Sequence, residues 1–111
     1  MVEISEAKFN AFTVTYSSSH GYHALAVLAA AAQKLGLDRK TALVAASHAL
    51  ADGIEYWRKG NLPLPGLLHE AATPGGIAAT VGLAQESAGY ARAVERGLKA
   101  GLARARKNAG R

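Results

Sequence analysis

Apolar positions recur at three- and four-residue steps along most of the chain. The clearest run is Leu43, Ala46, Leu50, Ile54 and Trp57, which predicts a helix over about 39–59 with this stripe facing a core. Leu25, Leu28, Ala32 and Leu35 mark a second long helix over about 21–35. Gly36 is placed to close that helix in a left-handed cap, and Asp38 to cap the next. Val94, Leu98 and Leu102 mark the apolar side of a final helix over about 90–107, with another helix over about 76–87 before it. Gly89 breaks or bends the chain between those two. At the front, residues 1–5 read as an extended lead-in. Ser5 caps a first helix from near Glu6-Ala7, with Phe9 and Phe12 inward and Lys8 and Asn10 outward. The run Ser17-Ser18-Ser19 disfavours helix, because serine hydroxyls compete for nearby backbone groups. Leu62-Pro63-Leu64-Pro65 reads as an extended apolar linker and 66–72 as one short helix. Gly60-Asn61 ends the third helix. The expectation is an all-α fold of five or six helices, two of them long, forming one domain over 1–111.

The segment from His69 to Leu83 carries the chemistry. Thr73-Pro74-Gly75-Gly76 is a helix stop, a tight turn and a helix start in four residues. Pro74 cannot extend the preceding helix and drives Thr73 toward an extended conformation. The glycines leave no side chain in the way. The helix that follows begins with amides that lack intrahelical partners, a ready seat for a carboxylate or phosphate. The plain alternative is a connection between two helices and nothing more.

Composition narrows the partners. Half of the 111 residues are hydrophobic, yet only 6% are aromatic, so alanine supplies much of the apolar count. Small side chains allow close helix contacts but bury little area each, and a core completed by a partner chain is expected. The net charge is +5 and the pI about 9.8. Much of the excess sits in Arg92, Arg96, Lys99, Arg104, Arg106, Lys107 and Arg111. We read these cations as matched to the negative end of the last helix, and expect no nucleic-acid partner because base-stacking and groove-reading residues are lacking. No cysteine is present, which excludes a disulfide framework and thiolate chemistry and fits a cytoplasmic protein. The longest apolar run, 24–32, is too short to span a bilayer, so no membrane partner is expected. Gly97 and Gly101, four apart, suggest one close backbone crossing, or are two tolerated glycines.

The Thr73-Pro74-Gly75-Gly76 turn resembles the Ser-Pro-Gly-Gly-Thr-Thr loop of the pyrroline-5-carboxylate reductase family. The stretch from Phe12 to His23 is similar to that family's Ser-Gly-Ser-Gly-Pro-Ala-Tyr loop, and the order and spacing of the intervening helices match. The resemblance covers nearly the whole chain but only the family's C-terminal, helical dimerisation domain. No Gly-x-Gly-x-x-Gly occurs, so the family's dinucleotide-binding domain is absent. The resemblance implies a homodimer interlocked through the long helices and the last helix. It also implies that the two loops together form the pocket for a small imino- or amino-acid-like carboxylate, beside a nicotinamide held by the missing domain. Carried over by position, Ser17, Ser19, Thr73, Gly75, Gly76, Ile77 and Ala78 are the substrate-binding residues. The cofactor is NAD(P)H in the parent enzyme, with none bound by this chain alone.

Departures from the family fall at the chemistry. Ser18 and His20 stand where the family has glycines, Gly21 replaces its proline, Tyr22 its alanine, and His23 its tyrosine. Ala78 stands where the family has a threonine whose hydroxyl helps protonate the ring nitrogen. A lost hydrogen bond of that kind costs about 1.5–3 kcal/mol, ten- to a hundredfold in rate. His23, and after it His20, are the candidate replacements, since histidine titrates near neutrality. Otherwise His20 is a solvated turn residue and His23 fills the volume of the tyrosine. The pair is three apart and without a third ligand, so no metal site is assigned. His48 reads as a structural or interface residue and Trp57 as packing. His69 and Glu70 either hydrogen-bond across the turn or are an exposed pair.

The expected function is therefore the dimerisation and substrate-pocket half of a pyrroline-5-carboxylate reductase-like oxidoreductase, as in proline biosynthesis. Such a chain is inactive alone and an excised or truncated piece of a longer protein. The alternatives are a free-standing helical dimer that binds a small carboxylate or acts as a scaffold, and, third, a basic helical nucleic-acid binder. A Gly-x-Gly-x-x-Gly domain upstream would favour the first, and steep salt dependence of DNA binding the last.

Overall fold

The computed structural model describes residues 5–110, so the lead-in over 1–4 and Arg111 lie outside the described residues. Six helices follow in order: α1 (Glu6–Thr15), α2 (Ser19–Lys34), α3 (Arg39–Lys59), α4 (Leu64–Ala71), α5 (Ile77–Ser87) and α6 (Tyr90–Ala109). No strand occurs among the described residues, and the fold is all-α as expected.

Most boundaries follow the predicted caps. The Ser5 hydroxyl accepts from the Lys8 amide at 3.3 Å, and the Asp38 carboxylate accepts from the Thr41 amide at 3.0 Å. Hydrogen bonding from the Thr41 side chain, and then from its amide, holds the Asp38 carboxyl below its usual range. Gly36 has φ +108°. Gly89, at φ +93°, breaks rather than bends the chain between α5 and α6.

Two boundaries differ from expectation. The α2 helix starts at Ser19, because the Ser18 carbonyl accepts from the Gly21 and Tyr22 amides at 3.0 and 3.3 Å and draws the last serine into the first turn. The expected linker ends at Pro63, the extended N-cap of α4, and Leu64 and Pro65 are helical. A proline in a first turn lacks an N–H that would have had no intrahelical partner there.

The chain forms two compact units, one running from Ser18 to Thr73 and the other made of the segments on either side of it. In the first of these, α2 packs on α3. Its core is Ala29, Ala42 and Ala46, with Leu25 and Ala32 packed against them. The expected stripe on α3 holds in part, with Ala46 in the core and Leu50 half-buried. The small-residue face meets α2, and Leu43, Ile54 and Trp57, roughly a quarter turn around the helix, stay 37%, 58% and 44% exposed. Leu28 and Leu35 on α2 are likewise left outside, while Leu25 and Ala32 face in as predicted.

In the other unit, α1 and α5 pack on α6. Val14 and Asn10 are the half-buried positions of α1, and Leu98, Gly101, Leu102 and Ala105 those of α6. The expected orientation of α1 is reversed: Phe9 and Phe12 are exposed, and Phe12 stacks on Tyr16 with ring centroids 5.5 Å apart. Gly101 accounts for this. A Cβ there would lie 3.0 Å from Val14 Cγ1, so the missing side chain lets α1 approach on its Val14 face. Gly97 has nothing within 4 Å of that position. Of the two glycines, only Gly101 marks the close crossing.

Two predictions test this packing. Gly97→Ala should gain about 1 kcal/mol in urea unfolding from helix propensity, and Gly101→Ala should fall short of it because Val14 must shift; equal gains would refute the close contact. Asp38→Ala should destabilise at neutral pH. A depressed carboxyl stabilises above its unfolded pKa and loses that contribution as pH falls through the folded value, so the gap to wild type should narrow in acid. A gap independent of pH would contradict the cap.

Candidate functional site

The turn between α4 and α5 is built by its own residues. The Ala72 amide donates to the His69 carbonyl at 3.1 Å and ends α4. The Thr73 hydroxyl donates to the Glu70 carbonyl at 3.4 Å, a contact within the end of α4, and His69 and Glu70 are exposed. Gly75 then takes φ +78°, a conformation that costs an ordinary residue about 1–2 kcal/mol. Gly76 returns to extended backbone, φ −79° and ψ 163°, as the N-cap of α5.

Glycine has no side chain with which to cap, and α5 has no side-chain cap hydrogen bond and no acidic residue in its first turn. Thr80 contributes instead at the Gly76 carbonyl, which accepts from both the Thr80 amide at 3.1 Å and its hydroxyl at 3.0 Å. This anchors the first turn without covering its amides. The positive end of α5, at Ile77 and Ala78, thus presents N–H groups with no side-chain cap. Ile77 is 86% exposed.

The serine-rich segment is the junction of α1 and α2. The Tyr16 amide donates to the Phe12 carbonyl at 2.8 Å and closes α1. Ser17 and Ser18 form the turn, and Ser19, His20 and His23 lie in the first turns of α2, all exposed. The N-cap Ser18 is helical in backbone and makes no side-chain cap, and the first turn of α2 has no acidic residue. Ser19 and His23, four apart, share one face of α2, and His20 and His23 are neighbours at three.

Both segments fall where the chain passes between its two units, at Ser17–Ser18 and at Thr73–Pro74. Gly75, Gly76, Ile77 and Ala78 are thus contiguous in one unit, while Ser19, His20 and His23 are contiguous in the other.

Sequence reasoning missed two shallow clefts. One, of about 180 Å³, lies where α3 meets α4, lined by Tyr56, Lys59, Leu62 and Leu67. The other, of about 240 Å³, lies at Gly89 with Arg92 and Arg96. Neither is lined by a candidate residue. Their only signals in the sequence are the helix-ending Gly60-Asn61 and Gly89. His48 Nδ1 donates to Asp52 Oδ2, 3.2 Å away on the same exposed face of α3. Trp57, expected as packing, stands at the exposed edge noted above. Among the described residues no group of three or more His, Asp or Glu could hold a metal. With no strand in 5–110 and no Gly-x-Gly-x-x-Gly in the sequence, these residues do not fit a dinucleotide, and no chemical step here runs through one. Among the described residues no helix is long and apolar enough to cross a membrane.

Residues 6–108 match the family model for pyrroline-5-carboxylate reductase dimerisation. The chain belongs to this family. No curated protein and no solved structure matches it. The pyrroline-5-carboxylate reductase dimerisation match takes in both loops and all six helices but the last residue of α6.

Gly75→Ala should lower unfolding stability by about 1–2 kcal/mol, and Gly75→Asn by less than half as much, since asparagine tolerates this conformation. Equal losses, measured in urea, would show that the left-handed turn is not what the position requires.

Proposed function

We propose that this chain is the dimerisation and substrate half of an NAD(P)H-dependent imine reductase related to pyrroline-5-carboxylate reductase, acting in the cytoplasm on a small carboxylate-bearing imine. The observation that carries this reading is the uncapped start of α5 behind the left-handed Gly75. The amides of Ile77 and Ala78 take the substrate carboxylate, with the helix dipole favouring the negative charge. The hydroxyls of Ser17, Ser19 and Thr73 orient the substrate. Two copies pair through apolar faces that one copy leaves uncovered, such as Phe9 and Phe12 on α1 with Tyr16 at its end. The nicotinamide comes from a separate dinucleotide-binding domain, and supplies the reducing equivalent when bound.

Ala78 has no hydroxyl to give the substrate nitrogen a proton. His23 takes that role, with His20 beside it, so the proton on the product nitrogen comes from imidazolium.

The test is turnover by this chain supplied with a family dinucleotide-binding domain, following oxidation of the reduced cofactor against a cyclic imino acid. His23→Phe should abolish turnover, and an unchanged rate would remove His23 from the reaction. Gly76→Asp places an internal carboxylate over the α5 amides. It should raise the melting temperature through capping and raise KM about ten- to a hundredfold. An unchanged KM in a variant stabilised this way would show that substrate does not sit on those amides.

A further inference from the structure

The cations of α6 are not explained by the helix dipole alone. Only Arg106 and Lys107 lie in its last turn, and the dipole's influence fades beyond the terminal turn. Arg92 stands in the first turn, at the positive end, with no acidic residue there. Arg96 follows one turn later.

Arg92, Arg96, Lys99, Arg106 and Lys107 share one face. At about 100° per residue they fall within an arc of roughly 100°, along about 22 Å of helix. All five are exposed. The ion pairs shown by the structure, His48–Asp52 and Lys59–Glu55, involve none of them. Glu95 alone adds a negative charge, at the edge of the stripe. Five like charges in a row repel one another, and a polyanion relieves that repulsion.

The kind of polyanion follows from the rest of the helix. A membrane-surface helix needs its apolar side free to enter the lipid. Here Leu98, Gly101, Leu102 and Ala105, on the opposite side, are half-buried in the unit where α1 packs on α6. Binding to unpaired strands relies on aromatic platforms, and the basic face has none; Tyr90 points from the other side. What remains is a straight row of guanidinium and ammonium groups suited to phosphates.

We propose that this face of α6 docks on the phosphate backbone of double-stranded nucleic acid without reading its sequence. The proposal is independent of the reductase reading.

The test is binding of the whole protein to a short labelled DNA duplex of mixed sequence, followed by anisotropy. With five phosphates neutralised per bound copy, affinity should fall about 500-fold between 50 and 200 mM salt. In the triple variant Arg92→Gln, Arg96→Gln, Lys99→Gln the same change should cost only about 12-fold, with weaker binding at low salt. Arg92→Lys with Arg96→Lys should keep the parent behaviour. Removing equal charge elsewhere, by Lys34→Gln, Arg39→Gln and Lys40→Gln, should leave the salt dependence of the parent. The proposal is overturned if no duplex binding occurs at 50 mM salt, or if the α6 triple variant keeps the parent salt dependence. It is equally overturned if the off-stripe variant loses as much, or if vesicles containing phosphatidylserine bind more tightly than the duplex.

Discussion

The contact between α2 and α3 is made by alanine, and the rest of the structure is organised around what alanine can and cannot do. Ala29, Ala42 and Ala46 let the two backbones approach closely. Each buried methyl contributes only about 0.8 kcal/mol, whereas ordering a residue's backbone costs about 1–2 kcal/mol. Three such residues cannot hold the unit by themselves. The larger apolar groups, Leu43, Ile54 and Trp57 on α3 and Leu28 and Leu35 on α2, are present but face away from the contact. The other unit repeats the pattern. Gly101 draws α1 in, and Phe9, Phe12 and Tyr16 remain outside. A chain that leaves this many large side chains on outer faces has apolar surface for another surface to cover.

This explains which features were legible in the sequence. Caps and breakers act within a few residues, so Ser5, Asp38, Gly36 and Gly89 declared the helix ends correctly. The extent of α3 was also set locally. Which face of a helix turns inward depends on the neighbour, and periodicity reports only that an apolar stripe exists. On α1 the expected inner face is the outer one, whereas on α3 the expected stripe is split: Ala46 and Leu50 turn inward and Leu43, Ile54 and Trp57 stay outside. The errors at Ser19 and Pro65 have a different origin: serine and proline are excluded from helix interiors but fit a first turn.

The candidate site was read from the same local chemistry. Pro74 ends one helix, Gly75 reverses the chain at positive φ, and Gly76 opens the next helix without a capping side chain. That sequence of events follows from residue types alone. Membership of the pyrroline-5-carboxylate reductase dimerisation family gives the turn a setting, Ala78 offers no hydroxyl, and histidines stand at 20 and 23. The roles of those residues are a matter of chemistry with substrate present. The basic face of α6 was visible in the sequence as a count of charges. Its meaning changed once the helix placed Arg92 at the positive end and packed the opposite side against α1.

The central claim is that one copy of this chain does not hold enough buried surface and that a second copy supplies it. The most direct measurement is light scattering combined with thermal melting across a range of protein concentrations. A particle of about 23 kDa, twice the 11.5 kDa chain, with a melting temperature that rises with concentration, is the expected result. A folded 11.5 kDa particle that melts at the same temperature at every concentration would contradict it.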